Sequence, residues 1–324
     1  MSSLPRIACM TMVKDDVEFL DIWVKYYSGL FGAVNCYVID HGSQDTSAID
    51  RAKALGVQVL CMPFEYPAAS PDGLRKDGTP VQFDGFRFAF LSKLRTSLRV
   101  FYDVVIMHDV DEILVSHPDT AKTVFQYIND TIARVRQHTI VGGIGVEIFQ
   151  DLQTEGPIDR DRPILQQRRN AHFRLPEFKP VILCSDAPAS PHGATVPFAI
   201  DPNLWLLHLK FIDRDSLCVR QQQRRGVVDR GEVPDWTRWG WLSTDVDQKL
   251  GEFLKRPLDA DDSRGKTFLQ KHFTRSSDGC YLVEKKQDRP PGQFDPAAGL
   301  TLSMRGELHD YRFILPPAFQ ALEI

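Results

Sequence analysis

Through its first 150 residues the chain alternates between two hydrophobic periods, and that alternation restricts the fold more than any other feature. Short, mostly apolar runs at Arg6–Val13, Val34–Ile39, Val57–Met62, Val104–Met107 and Thr139–Phe149 have the length of buried strands. The segments between them carry apolar residues at the three-and-four spacing of an amphipathic helix. Asp16–Leu30 aligns Phe19, Trp23, Tyr26 and Leu30, with Asp15 or Asp16 placed to cap it. Thr46–Leu55 reads as a second helix ending at Gly56, Phe83–Phe101 as a third, and His117–Gln137 as a fourth with Pro118 in its first turn. Strands alternating with helices predict an α/β fold with a mostly parallel central sheet flanked by helices. Ligands of such sheets gather at the C-terminal ends of the strands.

Beyond about residue 150 the pattern loosens. Strand candidates at Ile164–Arg168, Pro180–Cys184 and Leu204–Leu209 are separated by polar, proline-bearing loops. The expected organisation is a catalytic domain over residues 1–215 and a less regular region over 216–324 packed on it. The net charge of -4 gives no general attraction to nucleic acid. No apolar run approaches the roughly 20 residues needed to span a bilayer. IACMTMV is stopped by Lys14 and two acids, so it reads as a strand and not as a signal peptide. The six cysteines show no Cys-x-x-Cys spacing, which predicts buried thiols in a reducing, cytoplasmic compartment.

Two acidic motifs fall at strand ends. In IDHGSQDTS, Asp40 closes the second run and Asp45 lies on the loop beyond it, where Ser43 or Asp45 can also cap the next helix. In VVIMHDVDEILV, three acids follow a buried run at once: Asp109, Asp111 and Glu112. If this stretch stays extended, Asp109 and Asp111 point one way while Glu112 points the other, as a separate structural group. Two converging carboxylates repel unless a cation sits between them, and hard oxygen ligands suit Mg²⁺ or Mn²⁺. A solvated turn with capping acids is the plainer alternative. Lys14, and Arg87, Lys93 and Arg95 on the preceding helix, are candidate phosphate contacts, against a solvated basic face.

The set MVKDDVEFLDIWVKYYSGLFG, VNCYVIDHGSQDTS and DVVIMHDVDEILV resembles the family 2-type glycosyltransferases of the GT-A, Rossmann-like fold. The resemblance covers roughly residues 6–215. It implies a nucleotide-sugar donor held by Mn²⁺ or Mg²⁺, with Asp40 near the nucleoside and Asp109 and Asp111 at the ribose and metal-bound diphosphate. Asp15 and Asp45 would line the same donor site. His41 stands where many relatives carry a second Asp. The resemblance further implies His208 as a third metal ligand and Lys210 on the diphosphate, since LLHLKF sets them two apart on a strand; a satisfied core histidine is the alternative, and His192 is the rival ligand. Inversion at the anomeric carbon follows from the family type.

Glu147 and Asp151, after the GGIGV run, are the leading candidates for the base that activates the acceptor, with Glu112 and Glu177 behind them. DWTRWGW packs Trp236, Arg238, Trp239 and Trp241 together, which suits stacking on an acceptor sugar as well as core packing. QQQRR at Gln221–Arg225 reads as a solvated helix face. The acceptor class is a glycan or lipid-linked glycan of surface polysaccharide synthesis, compatible with peripheral association at the inner face of a membrane. Competing readings are a nucleotidyltransferase-like enzyme, whose glycine-rich phosphate loop is missing after the first strand, and a non-catalytic glycan- or nucleotide-binding protein.

Overall fold

The computed structural model describes residues 4–62, 83–187, 189–190, 193–229, 245–284 and 300–324. In the first half the order is β1 (Ile7–Val13), α1 (Val17–Phe31), β2 (Cys36–Asp40), α2 (Ser47–Ala54), β3 (Gln58–Cys61), α3 (Phe83–Leu98), β4 (Val104–Met107), β5 (Glu112–Ser116), α4 (Val124–Asp130), α5 (Ile132–His138) and β6 (Ile140–Phe149). The second half runs α6 (Ile164–Gln167), β7 (Asn170–Phe173), β8 (Pro180–Leu183), β9 (Ala189–Ser190), β10 (Gly193–Ala194), β11 (Phe198–Phe211), α7 (Arg214–Asp229), α8 (Val246–Leu254), α9 (Arg264–His272), β12 (Thr274–Arg275), β13 (Tyr281–Val283), α10 (Leu302–His309) and β14 (Phe313–Ile314).

The alternating half forms the parallel block β3-β2-β1-β4, in register at Cys9–Cys36 and Met10–Met107. All seven residues of β1 are buried, as a central parallel strand covered on both faces requires. Helix α1 packs on β1 and β2 through Phe19, Leu20, Trp23 and Tyr27. Beyond β4 the ladder is mixed: β8 lies antiparallel between β4 and β6, β11 runs parallel to β6, and β13 and β12 close that edge antiparallel. Strand β5 pairs with β11, β7 with β6, and β14 with β7. Residues after 215 therefore contribute strands to the same sheet. A second apolar cluster joins Phe149 and Phe211 to Leu217, Val246, Leu250 and Phe253.

Several local expectations are corrected. Ile164–Arg168 is a single helical turn, started by Pro163 and burying Ile164 and Leu165, and not a strand. The helix expected over His117–Gln137 is interrupted: a 3₁₀ turn at Pro118–Thr120 stops at Ala121 (φ 51°), and Thr123 and Gln126 form a capping box that starts α4 afresh. The strand expected at Leu204–Leu209 extends to fourteen residues, with Pro202 falling where the β6–β11 register shifts. Asp16 stands at the N-cap of α1 without a capping bond, because its carboxylate pairs with Arg220 at 2.8 Å. Among the described residues, no helix is long and apolar enough to cross a membrane.

Candidate active site

Strand β4 delivers the acids to the same sheet end as the C-termini of β1 and β2. The chain does not stay extended there. Glu112 N–H donates to the Asp109 carbonyl at 3.1 Å, closing a tight turn that sends the chain back as β5 against β11. The reversal corrects the expected position of Glu112. It falls opposite His208 in the ladder, its carboxylate accepts Asp109 N–H at 3.0 Å, and Lys179 Nζ lies 2.5 Å from it. The three acids thus share one network.

Each acid has its own cations. Asp109 pairs with Arg87 of α3 and lies 3.9 Å from Lys179. Asp111 accepts from Arg220 of α7 at 2.9 Å and sits 3.4 Å from His208 Nε2. Ladder register then aligns Glu112, His208, Glu147 and His172 across β5, β11, β6 and β7. Glu147 is wholly buried and contacts His208 Nδ1 at 2.9 Å, His172 Nε2 at 3.3 Å and Arg174 at 3.0 Å. Glu177 contacts Lys179 at 3.1 Å and Arg174 at 3.3 Å.

Six acidic side chains (Asp16, Asp109, Asp111, Glu112, Glu147, Glu177) thus face four fixed cations (Arg87, Arg174, Lys179, Arg220), with His208 as a fifth when protonated. Burial would raise Asp109 and Asp111, but Arg87 and Lys179 hold the first below the usual carboxylate range, and Arg220 and His208 the second. Burial wins at Glu112, pushed up to about 8 despite Lys179, and at Asp16, pushed up to about 6 despite Arg220. Burial would lower His208, yet the Asp111 carboxylate and its hydrogen bonds raise it to about 10. With Glu112 neutral and His208 charged at neutral pH the network balances, so a divalent cation would enter by displacing the His208 proton. Asp111 Oδ2 and His208 Nε2, 3.4 Å apart, have the separation of two ligands sharing one cation, roughly 3 Å for metal–oxygen and metal–nitrogen bonds of about 2.1 Å. Asp111 and His208 could thus share a divalent metal once His208 is neutral, while Asp109, on the neighbouring corner of the turn, does not close on the same point as a third ligand.

The other expected residues fall in three groups. Asp40 is buried at the end of β2 and accepts Ser43 N–H at 2.9 Å; Asp15 (φ 52°) accepts Gln44 N–H at 2.6 Å, tying the first two strand-end loops together. Asp45, one residue before Thr46, the N-cap of α2, accepts Ser47 N–H at 2.9 Å. Lys14 and Lys93 are exposed, Lys93 about 120° around α3 from Arg87. Arg95 is buried, donating to the Ala187 carbonyl at 2.8 Å. Lys210 Nζ lies 5.1 Å over the Phe211 ring, past the register shift that follows His208. Burial would raise Glu147, but Arg174, His172 and His208 hold it well below its usual range, so it orients His208 and is a poor proton acceptor. Asp151 closes an exposed turn, accepting from Gln153 N–H and the Thr154 hydroxyl, both at 2.9 Å. His192, Trp236, Arg238, Trp239 and Trp241 lie outside the described residues. Arg174, Lys179, Arg220 and His172 were not singled out by sequence reasoning.

No protein-family model and no curated protein matches the chain. Solved structures similar to part of it include glucosyl-3-phosphoglycerate synthase from Mycobacterium tuberculosis with Mn²⁺, UDP-glucose and phosphoglyceric acid, at 18% identity and TM-score 0.28 over 44% of each chain. The same enzyme with Mg²⁺ and UDP gives 17% and 0.28 over 44% of each chain. A mycobacterial protein gives 19% and 0.29 over 44% of this chain and 42% of that one. The chain spans less than half the length of the structures it matches.

Proposed function

We propose that the chain is a divalent-metal-dependent glycosyltransferase of GT-A type, moving a sugar from a nucleotide-diphosphate donor, a UDP-sugar in this reading, to a glycan or lipid-linked glycan. The observation that carries it is the turn at the end of β4, which brings Asp109 and Asp111 into one buried network with Arg87, Arg220 and His208. Asp111 and His208 would hold Mn²⁺ or Mg²⁺, with Asp109 beside them. When bound, the metal supplies Lewis-acid stabilisation of the departing nucleoside diphosphate. Arg87 and Arg220, each already against one of the acids, are placed to turn toward the diphosphate oxygens. Asp40, buried at the end of the neighbouring strand, would take the nucleoside side, and Glu147, bonded to His208 Nδ1, would leave Nε2 to hold the metal. Transfer inverts the anomeric carbon. Trp236, Arg238 and Trp239 take the acceptor.

The test is transfer or hydrolysis of UDP-sugars with and without Mn²⁺. Asp111→Asn, close to isosteric, is expected to lose activity at least about a hundredfold per folded molecule, with an unchanged circular dichroism spectrum and a lowered thermal midpoint because Arg220 and His208 lose their counter-charge. Chelator should abolish activity in the wild-type chain. Undiminished turnover in Asp111→Asn or in excess chelator sinks the assignment. Metal-dependent stabilisation by UDP without turnover of any donor would favour a binding protein instead.

A further inference from the structure

Helix α5 ends at His138 beside the turn that joins β12 to β13, 140 residues further along the chain. That turn is tightly closed. Ser276 N–H donates to the Cys280 carbonyl at 2.8 Å, Gly279 N–H to the Ser276 carbonyl at 3.1 Å, and Gly279 takes φ +92°. Asp278 Oδ1 accepts Cys280 N–H at 3.2 Å and the Ser276 hydroxyl, which leaves Oδ2 directed at His138 Nε2, 2.6 Å away. The Cys280 sulfur, wholly buried, joins them. The three ligand atoms lie within 4.8 Å of one another, and among the described residues no other group of His, Cys, Asp and Glu side chains does so.

We infer that His138, Asp278 and Cys280 form a second metal site, for a borderline cation such as Zn²⁺, separate from the acids at the end of β4. Imidazole, carboxylate and thiolate are three of the ligand types that build tetrahedral zinc sites, whereas a thiolate is foreign to Mg²⁺ and Mn²⁺. Bonds of about 2.0–2.3 Å place tetrahedral ligand atoms roughly 3.3–3.7 Å apart. His138 and Asp278 therefore need to separate by less than about 1 Å. Of the three ligands, Asp278 also lines a cleft of about 310 Å³, with Arg134, Lys266 and Arg275. Tyr281 pairs with Ile200 on β11, eight residues before His208, so the two sites lie roughly 25 Å apart along that strand.

Cobalt reads the site directly, because a Co²⁺–thiolate charge-transfer band cannot arise from Asp109, Asp111 and His208. The full chain, stripped with chelator and titrated with Co²⁺, is expected to develop that band up to one thiolate-bound Co²⁺ per chain and to lose it on adding Zn²⁺. Cys280→Ser should abolish the band, and His138→Gln should weaken Co²⁺ binding at least about tenfold. Asp111→Asn should leave it intact. No band at saturating Co²⁺, a band that survives Cys280→Ser, or one lost in Asp111→Asn would each overturn the inference. If Cys280→Ser does not fold, as judged by its thermal melt, His138→Gln, at the partly exposed rim, decides it by the same titration.

Discussion

Lys179 is one ammonium among three carboxylates: Glu112 at 2.5 Å, Glu177 at 3.1 Å and Asp109 at 3.9 Å, all below a surface that leaves it 4% exposed. Burial works against its charge, but its acidic neighbours, Glu112 first, outweigh burial and hold it protonated. Removing one partner from a buried charge cluster costs far more than the pair contributes when intact, because the others are left uncompensated. Lys179→Met is therefore expected to destabilise the fold by about 3–5 kcal/mol in urea titration. Adding Glu112→Gln should recover part of that loss. A Lys179→Met chain as stable as wild type would mean that Arg87 and Arg174 alone balance the acids. At this scale the acids were legible and their partners were not. Asp109 and Asp111 stand out because charge follows an apolar run without a break. Lys179 sits in FKPVIL, where a lysine before a proline signals only the start of a strand, and nothing local says that its ammonium reaches a turn seventy residues earlier. Lys93 shows the reverse, since its position on a basic helix looked favourable while the helix phase turns it outward.

At the scale of elements, Gly142 and Gly145, two of the three glycines of GGIG in β6, admit the segment carrying the cations. Arg174 N–H donates to the Gly145 carbonyl at 3.0 Å, and a β-carbon on Gly145 would strike Glu177 and lie 2.7 Å from the Arg174 carbonyl. A β-carbon on Gly142 would meet the backbone of Lys179 in the same way. The segment from Arg174 to Lys179 thus lies directly on the strand, and that contact sets the guanidinium and ammonium beside the acids. Gly145→Ala should push the segment away, cost about 1–3 kcal/mol in denaturant titration, and lower transfer activity further than the stability loss explains. Equal activity per folded molecule would show that the cations do not need this close approach. The sequence marks the glycines, but their use depends on which strand the segment crosses. The same holds for the row Glu112–His208–Glu147–His172, which exists only through the register of four strands joined by three pairings, each between residues tens of positions apart. The parallel block was readable because each of its strands announces itself by an apolar run, whereas the four residues of α6 were too few to show a period.

At the scale of the molecule, the site and the sheet both depend on chain beyond residue 215. Arg220, which joins Asp111 to Asp16, comes from α7; Leu217, Val246, Leu250 and Phe253 cover Phe149 and Phe211; and β13 pairs with β11 at Phe198–Ile200. A chain ended at Asp215 would uncover two phenylalanines, open the N-terminal half of β11 as a bare edge and leave Asp111 without its arginine. Contacts distributed in this way make the two regions one cooperative unit, since neither can lose its partner and keep its own core. The full chain is accordingly expected to unfold in urea through a single transition, with tryptophan fluorescence and far-ultraviolet circular dichroism coinciding. The 1–215 fragment should show no cooperative transition and should bind the dye that reports exposed apolar surface. Two separated transitions in the full chain, or a sharp native-like melt of the fragment, would instead make residues 216–324 a dispensable cover, and Arg220 would then be an addition to a site already complete without it.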